Sequence, residues 1–154
     1  MRATIPSTPT TSSAGGNLLV SRRPFSFAGS TTQLHVISVP ADPETQTLFL
    51  IGDTTSAAGF TMYGNTFPRA QVGATGTTTN HTDQHWRIRE AAGTTYVESS
   101  ADGLTTWTVR HMAPTPAMPN PQIRIGSALD TGPGGIFEAD NLVTRVAAGA
   151  CPLH

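Results

Sequence analysis

The sequence contains no lysine. All nine basic residues are arginine, and ten acidic residues bring the net charge to −1. Arg22-Arg23 is the only adjacent basic pair. No basic stripe is available for a nucleic-acid backbone, which excludes that partner class. The single cysteine, Cys151, excludes an intramolecular disulfide and a thiolate zinc site, and no role is assigned to it. No apolar run is long enough to span a membrane as a helix. The N-terminal stretch has no apolar core of the kind a secretory signal peptide needs, so none is expected. Charged residues are only 12% of the chain, and no window shows a helical apolar period, so almost no helix is expected.

What the chain does have is threonine, 25 of its 154 residues, together with Val and Ile. These residue types favour strands. The length suits one domain with a core of its own. Strands are predicted over 17–20, 33–39, 46–51, 58–63, 67–72, 84–90, 94–100, 105–112, 121–126 and 135–145. Regular spacing with Gly, Pro, Asn and Asp between the runs is the pattern of a sandwich or jelly roll. Leu48-Phe49-Leu50-Ile51 reads as a central strand, and Ile123 and Ile125 alternate with polar residues on a half-wet one. Residues 73–82 and 113–121 read as loops, the latter because of its four prolines. The expected organisation is an extended N-terminal arm over 1–16, a β-sandwich over 17–146 and a C-terminal tail over 147–154.

The segment Trp86 to Arg110, WRIREAAGTTYVESSADGLTTWTVR, is the most informative. Trp86, Ile88 and Glu90 share one face of a strand, and Arg87 and Arg89 share the other. Ala91-Ala92-Gly93 is a three-residue connection. Asp102-Gly103 is a strong hairpin signal. Trp107 is expected to meet Tyr96 or Trp86 across the sheet and to fix its register. Trp86, Arg87, Arg89, Glu90, Gly93, Tyr96, Ser100, Asp102, Gly103 and Trp107 together resemble the concanavalin A-like lectin/glucanase jelly roll. Versions in actinobacterial secreted proteins and in virion proteins of actinobacterial phages are the most similar. The Lys-free composition also looks like the coding bias of such genomes. The resemblance implies an all-β, antiparallel two-sheet jelly-roll sandwich. Trp86, Gly93, Tyr96, Asp102, Gly103 and Trp107 are its fold-defining residues. An insertion before Trp107 implies a bulge or a longer turn.

Glucanases of this fold place carboxylates on alternate residues of one strand. Glu138-Ala139-Asp140 begins that pattern, but Leu142 and Val143 stand where the second Glu belongs. No nucleophile motif is present, and the chain is expected not to be an enzyme. His81, Asp83 and His85 would share one face of an extended strand and form a weak metal-site candidate. The bland reading, a polar strand entry, is preferred, and no metal or cofactor is expected. For a sugar ligand the candidate residues are Tyr63, Asn65 and Arg69.

These readings lead to a non-enzymatic virion accessory protein of a bacteriophage, either capsid decoration or tail-associated. Its expected partners are other virion proteins, reached through Met1 to Gly16 and Ala147 to His154, and host-surface glycans. It is expected to be oligomeric in the particle. The alternative is a carbohydrate-binding module, stand-alone or excised from a secreted bacterial protein.

Overall fold

A computed structural model of the chain describes residues 3–6, 16–64, 66–129 and 136–147. None of these residues is helical. Among them are β1 (Ala3–Pro6), β2 (Gly16–Val20), β3 (Thr31–Ser38), β4 (Thr45–Gly52), β5 (Ala57–Tyr63) and β6 (Arg69–Val72). The remaining strands are β7 (Thr75–Thr78), β8 (His85–Ala91), β9 (Thr94–Ser100), β10 (Thr108–Pro114), β11 (Gln122–Leu129) and β12 (Ile136–Arg145). They form two six-stranded sheets, in the orders β1-β12-β3-β8-β9-β10 and β2-β11-β4-β5-β6-β7. Every pairing is antiparallel.

The two-residue side-chain period of a strand decides which residues the sheets bury between them. In β3, Thr32, Leu34 and Val36 are buried while Thr31, Gln33 and His35 are not. In β8, Trp86, Ile88 and Glu90 are buried while His85, Arg87 and Arg89 face outward. The second sheet contributes Phe49, Ile51, Ala58, Phe60, Ala70 and Val72 from the facing side. Phe60 and Trp86 meet across the gap with ring centroids 4.9 Å apart. The Trp86 indole Nε1–H donates to the Asp83 carbonyl at 3.0 Å, so the buried ring leaves no orphan donor. At one open side, His111 of β10 bonds Thr75 and Thr77 of β7, at 3.0 and 3.2 Å, and ties the sheet edges together.

The structure departs from the sequence reading in several places. The segment read as an arm over 1–16 contributes Ala3–Pro6 as an edge strand on β12, and Gly16 already opens β2. Residues 7–15 and 148–154, including Cys151, lie outside the described residues. The loop expected over 73–82 contains the edge strand β7, whose Thr-Gly-Thr-Thr sequence carries no apolar alternation to announce it. Trp107 does not meet Trp86. Trp86 is in the core, while Trp107 precedes β10 and lies on the outer face with Arg87. The bulge implied by the long turn is present further along, as a register shift between Val109 and His111.

The β8–β9 connection is two residues long, since Ala91 pairs directly with Thr94. Both Ala92 (φ 51°) and Gly93 (φ 79°) are left-handed, as a two-residue hairpin turn of the primed type requires. The buried Glu90 carboxylate accepts the Gly93 N–H at 2.6 Å and also the Gly29 N–H, so it clasps this turn to the entry of β3. Alanine is poorly suited to its position in the turn and asparagine is well suited. Ala92→Asn is expected to stabilise the fold by about 0.5–1 kcal/mol, read as a raised urea midpoint with an unchanged m-value.

Candidate functional site

The outward face of the first sheet carries polar and aromatic side chains in register. Asp140 of β12, His35 of β3, His85 of β8 and Ser100 of β9 lie in one row across four strands. Gln33, Arg87 and Glu98 form the next row, and Thr31, Arg89 and Tyr96 the one after. Trp107 joins the second row beneath the Arg87 guanidinium.

Glu98 organises this face. Its side chain is only 3% exposed although it lies on the outward side of the sheet. A carboxylate so desolvated needs compensating charge. Arg87 Nε donates to it at 2.6 Å and Arg89 Nε and Nη2 at 3.1 Å. Each guanidinium also lies over an aromatic ring. Arg87 is 3.9 Å from the centre of Trp107, and Arg89 is 3.8 Å from the centre of Tyr96. Salt bridge and cation–π contact therefore fix two planar cations side by side.

The histidine row is equally ordered. The rings of His35 and His85 stack with centroids 4.4 Å apart. His35 Nδ1 lies 2.8 Å from Asp140 Oδ1. A carboxylate oxygen accepts, so Nδ1 carries a proton and Asp140 fixes the orientation of the ring. An imidazole oriented in this way is equipped for proton transfer. Burial, followed by the neighbouring His35, pushes the His85 pKa below its ordinary value. The Asp102-Gly103 turn closes over His85. A Cβ at Gly103 (φ 68°) would lie 2.4–2.8 Å from the ring, so only glycine fits both the backbone and the contact. Asp102 holds the turn by accepting the Leu104 N–H at 2.9 Å and the Thr105 hydroxyl at 2.7 Å, and these bonds keep its carboxyl well below the usual range.

The structure separates the candidate metal trio. β8 begins only at His85, so His81, Asp83 and His85 do not share a strand face. His81 is buried against Phe60, and Asp83 accepts from Ser99 at 2.6 Å and Arg110 at 2.8 Å. Among the described residues no group of three or more His, Cys, Asp or Glu side chains is arranged to hold a metal ion. Tyr63 and Arg69 lie on the outer side of the second sheet, where with Thr61, Phe67 and Thr78 they line a depression of about 330 Å³. Asn65 lies outside the described residues. Of the six fold-defining residues, Trp86 is in the core, and Gly93, Asp102 and Gly103 hold turns. Tyr96 and Trp107 belong to the outer face, contrary to the expectation that they fix register from within. Sequence reasoning missed Gln33, His35 and Glu98 as site residues, and weighed Asp140 only as part of an incomplete glucanase carboxylate pattern. The only signal was the pair Arg87 and Arg89 on the wet side of β8, and register was needed to bring the others to them.

No known family model matches the chain, and no curated protein does. Solved structures do. A functionally unknown protein from Saccharomyces cerevisiae superposes with a TM-score of 0.63 at 13% identity, over 99% of this chain and 89% of the other. A family 7 alginate lyase solved with its product gives a TM-score of 0.52 at 15% identity, over 94% and 79%. The fold is a concanavalin A-like jelly roll. Toad ovary galectin in complex with thio-digalactose also matches, with a TM-score of 0.47 at 9% identity, over 87% of this chain and all of that one. The lyase corrects one expectation. An enzyme is built on this fold, so a missing glucanase carboxylate pair does not make the chain a non-enzyme, and that reading is withdrawn.

Two outcomes follow from the electrostatics. Glu98→Gln leaves two guanidinium groups without their shared counter-charge and is expected to cost about 3 kcal/mol in urea unfolding. His81 and His85 both have lowered pKa values in the folded chain, each chiefly through burial. The unfolded chain therefore binds more protons just below the ordinary histidine range. Stability is expected to be full above about pH 6.5 and to fall as the pH drops below it. Urea midpoints between pH 8 and pH 5 should show this, with a smaller fall in His81→Phe.

Proposed function

We propose that the outer face of the first sheet binds carbohydrate. The observation that carries this reading is the fixed array of Arg87, Arg89 and Glu98 set against Trp107 and Tyr96, with Gln33 and His35 beside it. Sugars offer dense hydroxyl pairs and apolar ring faces. Planar polar side chains held rigidly next to aromatics match both. The alginate lyase of the same fold, an enzyme of a polysaccharide, supports the ligand class.

The test is a broad glycan array probed with the full chain and with Trp107→Ala and Arg89→Ala. Binding in the micromolar-to-millimolar range is expected for the natural sequence, weakened at least tenfold in each variant. Tyr63→Ala on the other sheet should bind normally. A blank array, or loss only in Tyr63→Ala, would overturn the reading.

A second reading has its own support in the His35–Asp140 pair, which provides an oriented proton-transfer group on the same face. In that reading the bound chain is also cleaved. Incubation with a panel of polysaccharides should then release new chain ends, and His35→Ala should abolish release while retaining binding. The narrower setting proposed is a bacteriophage particle surface, as capsid decoration or tail-associated protein. Its support is the Lys-free composition. The arm adds none, because Ala3–Pro6 pairs within its own chain. Antibody labelling of purified particles should mark their surface, and its absence from particles would remove this setting without touching the binding site.

A further inference from the structure

The outer face of the second sheet differs in charge from that of the first. Three rows of outward residues cross it in register, one from Leu18 to Thr78, one from Val20 to Gly76 and one through Gln46 and Tyr63. These rows contain two arginines, Arg69 and Arg124, and no acidic residue. Arg87, Arg89 and Arg110 each have a carboxylate partner. Arg69 is exposed, and among the described residues no ion pair reaches it.

Arg69 borders the open depression of about 330 Å³, and among the described residues it is the only charged one in the lining. Tyr63 and Phe67 border it too, 46% and 49% exposed. Two neighbouring rings left half in water offer apolar area that a flat ligand can cover. The turn that carries them is pinned. The Tyr63 carbonyl accepts the Thr66 N–H at 3.0 Å and its hydroxyl at 2.6 Å, and the Gly64 N–H donates to the Thr45 carbonyl at 2.8 Å. After Phe67, the Pro68 carbonyl accepts both the N–H and the hydroxyl of Thr79 at 2.9 Å. Little order is therefore lost on binding.

The rest of the lining agrees with this picture. Met62 turns its side chain inward, the Thr66 hydroxyl is already used, and Thr61 and Thr78 lie in register on either side of Arg69. The charge of the ligand follows. An anion meets a free guanidinium and no carboxylate, and a planar carboxylate matches a guanidinium with two parallel hydrogen bonds. Its shape follows as well. Arg69 leans over β7, where a Cβ at Gly76 would lie 2.9 Å from its Nε. Tyr63 lies beyond Thr61 on β5, a step of roughly 7 Å along the strand. Ring and charge are thus set apart on the protein, and a ligand that reaches both needs a short chain between its own.

We propose that this depression is a second binding site, for an aromatic carboxylate whose ring and carboxylate are joined by a short chain. The ring covers Tyr63 and Phe67, the carboxylate pairs with Arg69, and the Thr61 and Thr78 hydroxyls flank that pair.

The test uses the full chain with 3-phenylpropionate and its two halves, propionate and 3-phenylpropan-1-ol, followed by NMR. 3-Phenylpropionate at millimolar concentration is expected to shift the Arg69 Nε–H and the Tyr63 ring signals. It should bind about tenfold or more tightly than either half. Arg69→Gln, at an exposed position, should lower its affinity to that of the alcohol, and Tyr63→Ala to that of propionate. The idea is overturned if 3-phenylpropionate shifts neither signal, if either half binds as tightly, or if Arg69→Gln leaves its affinity unchanged. Trp107→Ala, which weakens the glycan face, should bind 3-phenylpropionate as the natural chain does. An equal loss there would move the binding to the first sheet and overturn the second site, so failure of the two sites is distinguishable.

Discussion

The strict alternation of β8 is the constraint on which core and site both depend. Its inward residues Trp86, Ile88 and Glu90 lock the sandwich, and its outward residues His85, Arg87 and Arg89 build the binding face. A slip of one residue would exchange the two sets, placing two arginines in the core and a tryptophan in water. The exchange is opposed from several sides. Trp86 is bonded to the Asp83 carbonyl and packed on Phe60, and Glu90 holds two backbone N–H groups at the far end. The same contacts that stabilise the fold therefore set the positions of the site arginines. This makes the face more rigid than a site built on loops, and a rigid site loses less entropy on binding.

Much of the fold was legible because burial leaves a period-two record. Thr31 to Val36, Trp86 to Glu90 and Ile123 to Ile125 all show it. β7 leaves no such record. β7 is Thr-Gly-Thr-Thr, exposed throughout, and is held by pairing with β6 and by the His111 bridge from β10. Edge strands of this kind exist because a neighbour offers a ladder, and a linear sequence does not state the neighbour. The site was less legible for the same reason. Arg87 lies in the chain 11 residues from Glu98, and His35 lies 105 from Asp140. Each pair becomes visible only when register is known. The aromatics of the 86–110 segment were assigned one role by sequence, but the alternation gives them two. Trp86 packs inward, and Tyr96 and Trp107 support the arginines outside.

On the outer face of the first sheet Arg87 and Arg89 pair with Glu98, and His35 with Asp140, so these groups form a sheet of donors and acceptors that a ligand can share. Such a face suits a ligand that is polar all over and exchanges water for protein hydrogen bonds at little net gain per bond. Its selectivity comes from geometry.

The Asp102-Gly103 turn connects the two halves of this picture. Its role in chain reversal is ordinary, and the signal for it is plain in the sequence. What the structure adds is that Gly103 presses on the His85 ring, and that Asp102 holds the turn in place through Leu104, Thr105 and Ser100. The turn therefore limits how far His85 can move, and through the stack it limits His35 as well. A left-handed glycine is required here twice over, by the backbone and by the ring. Relaxing either demand would loosen the histidine row while leaving the Trp86 core intact. The binding face can in this way be tuned from a surface turn, without disturbing the residues that hold the sandwich together.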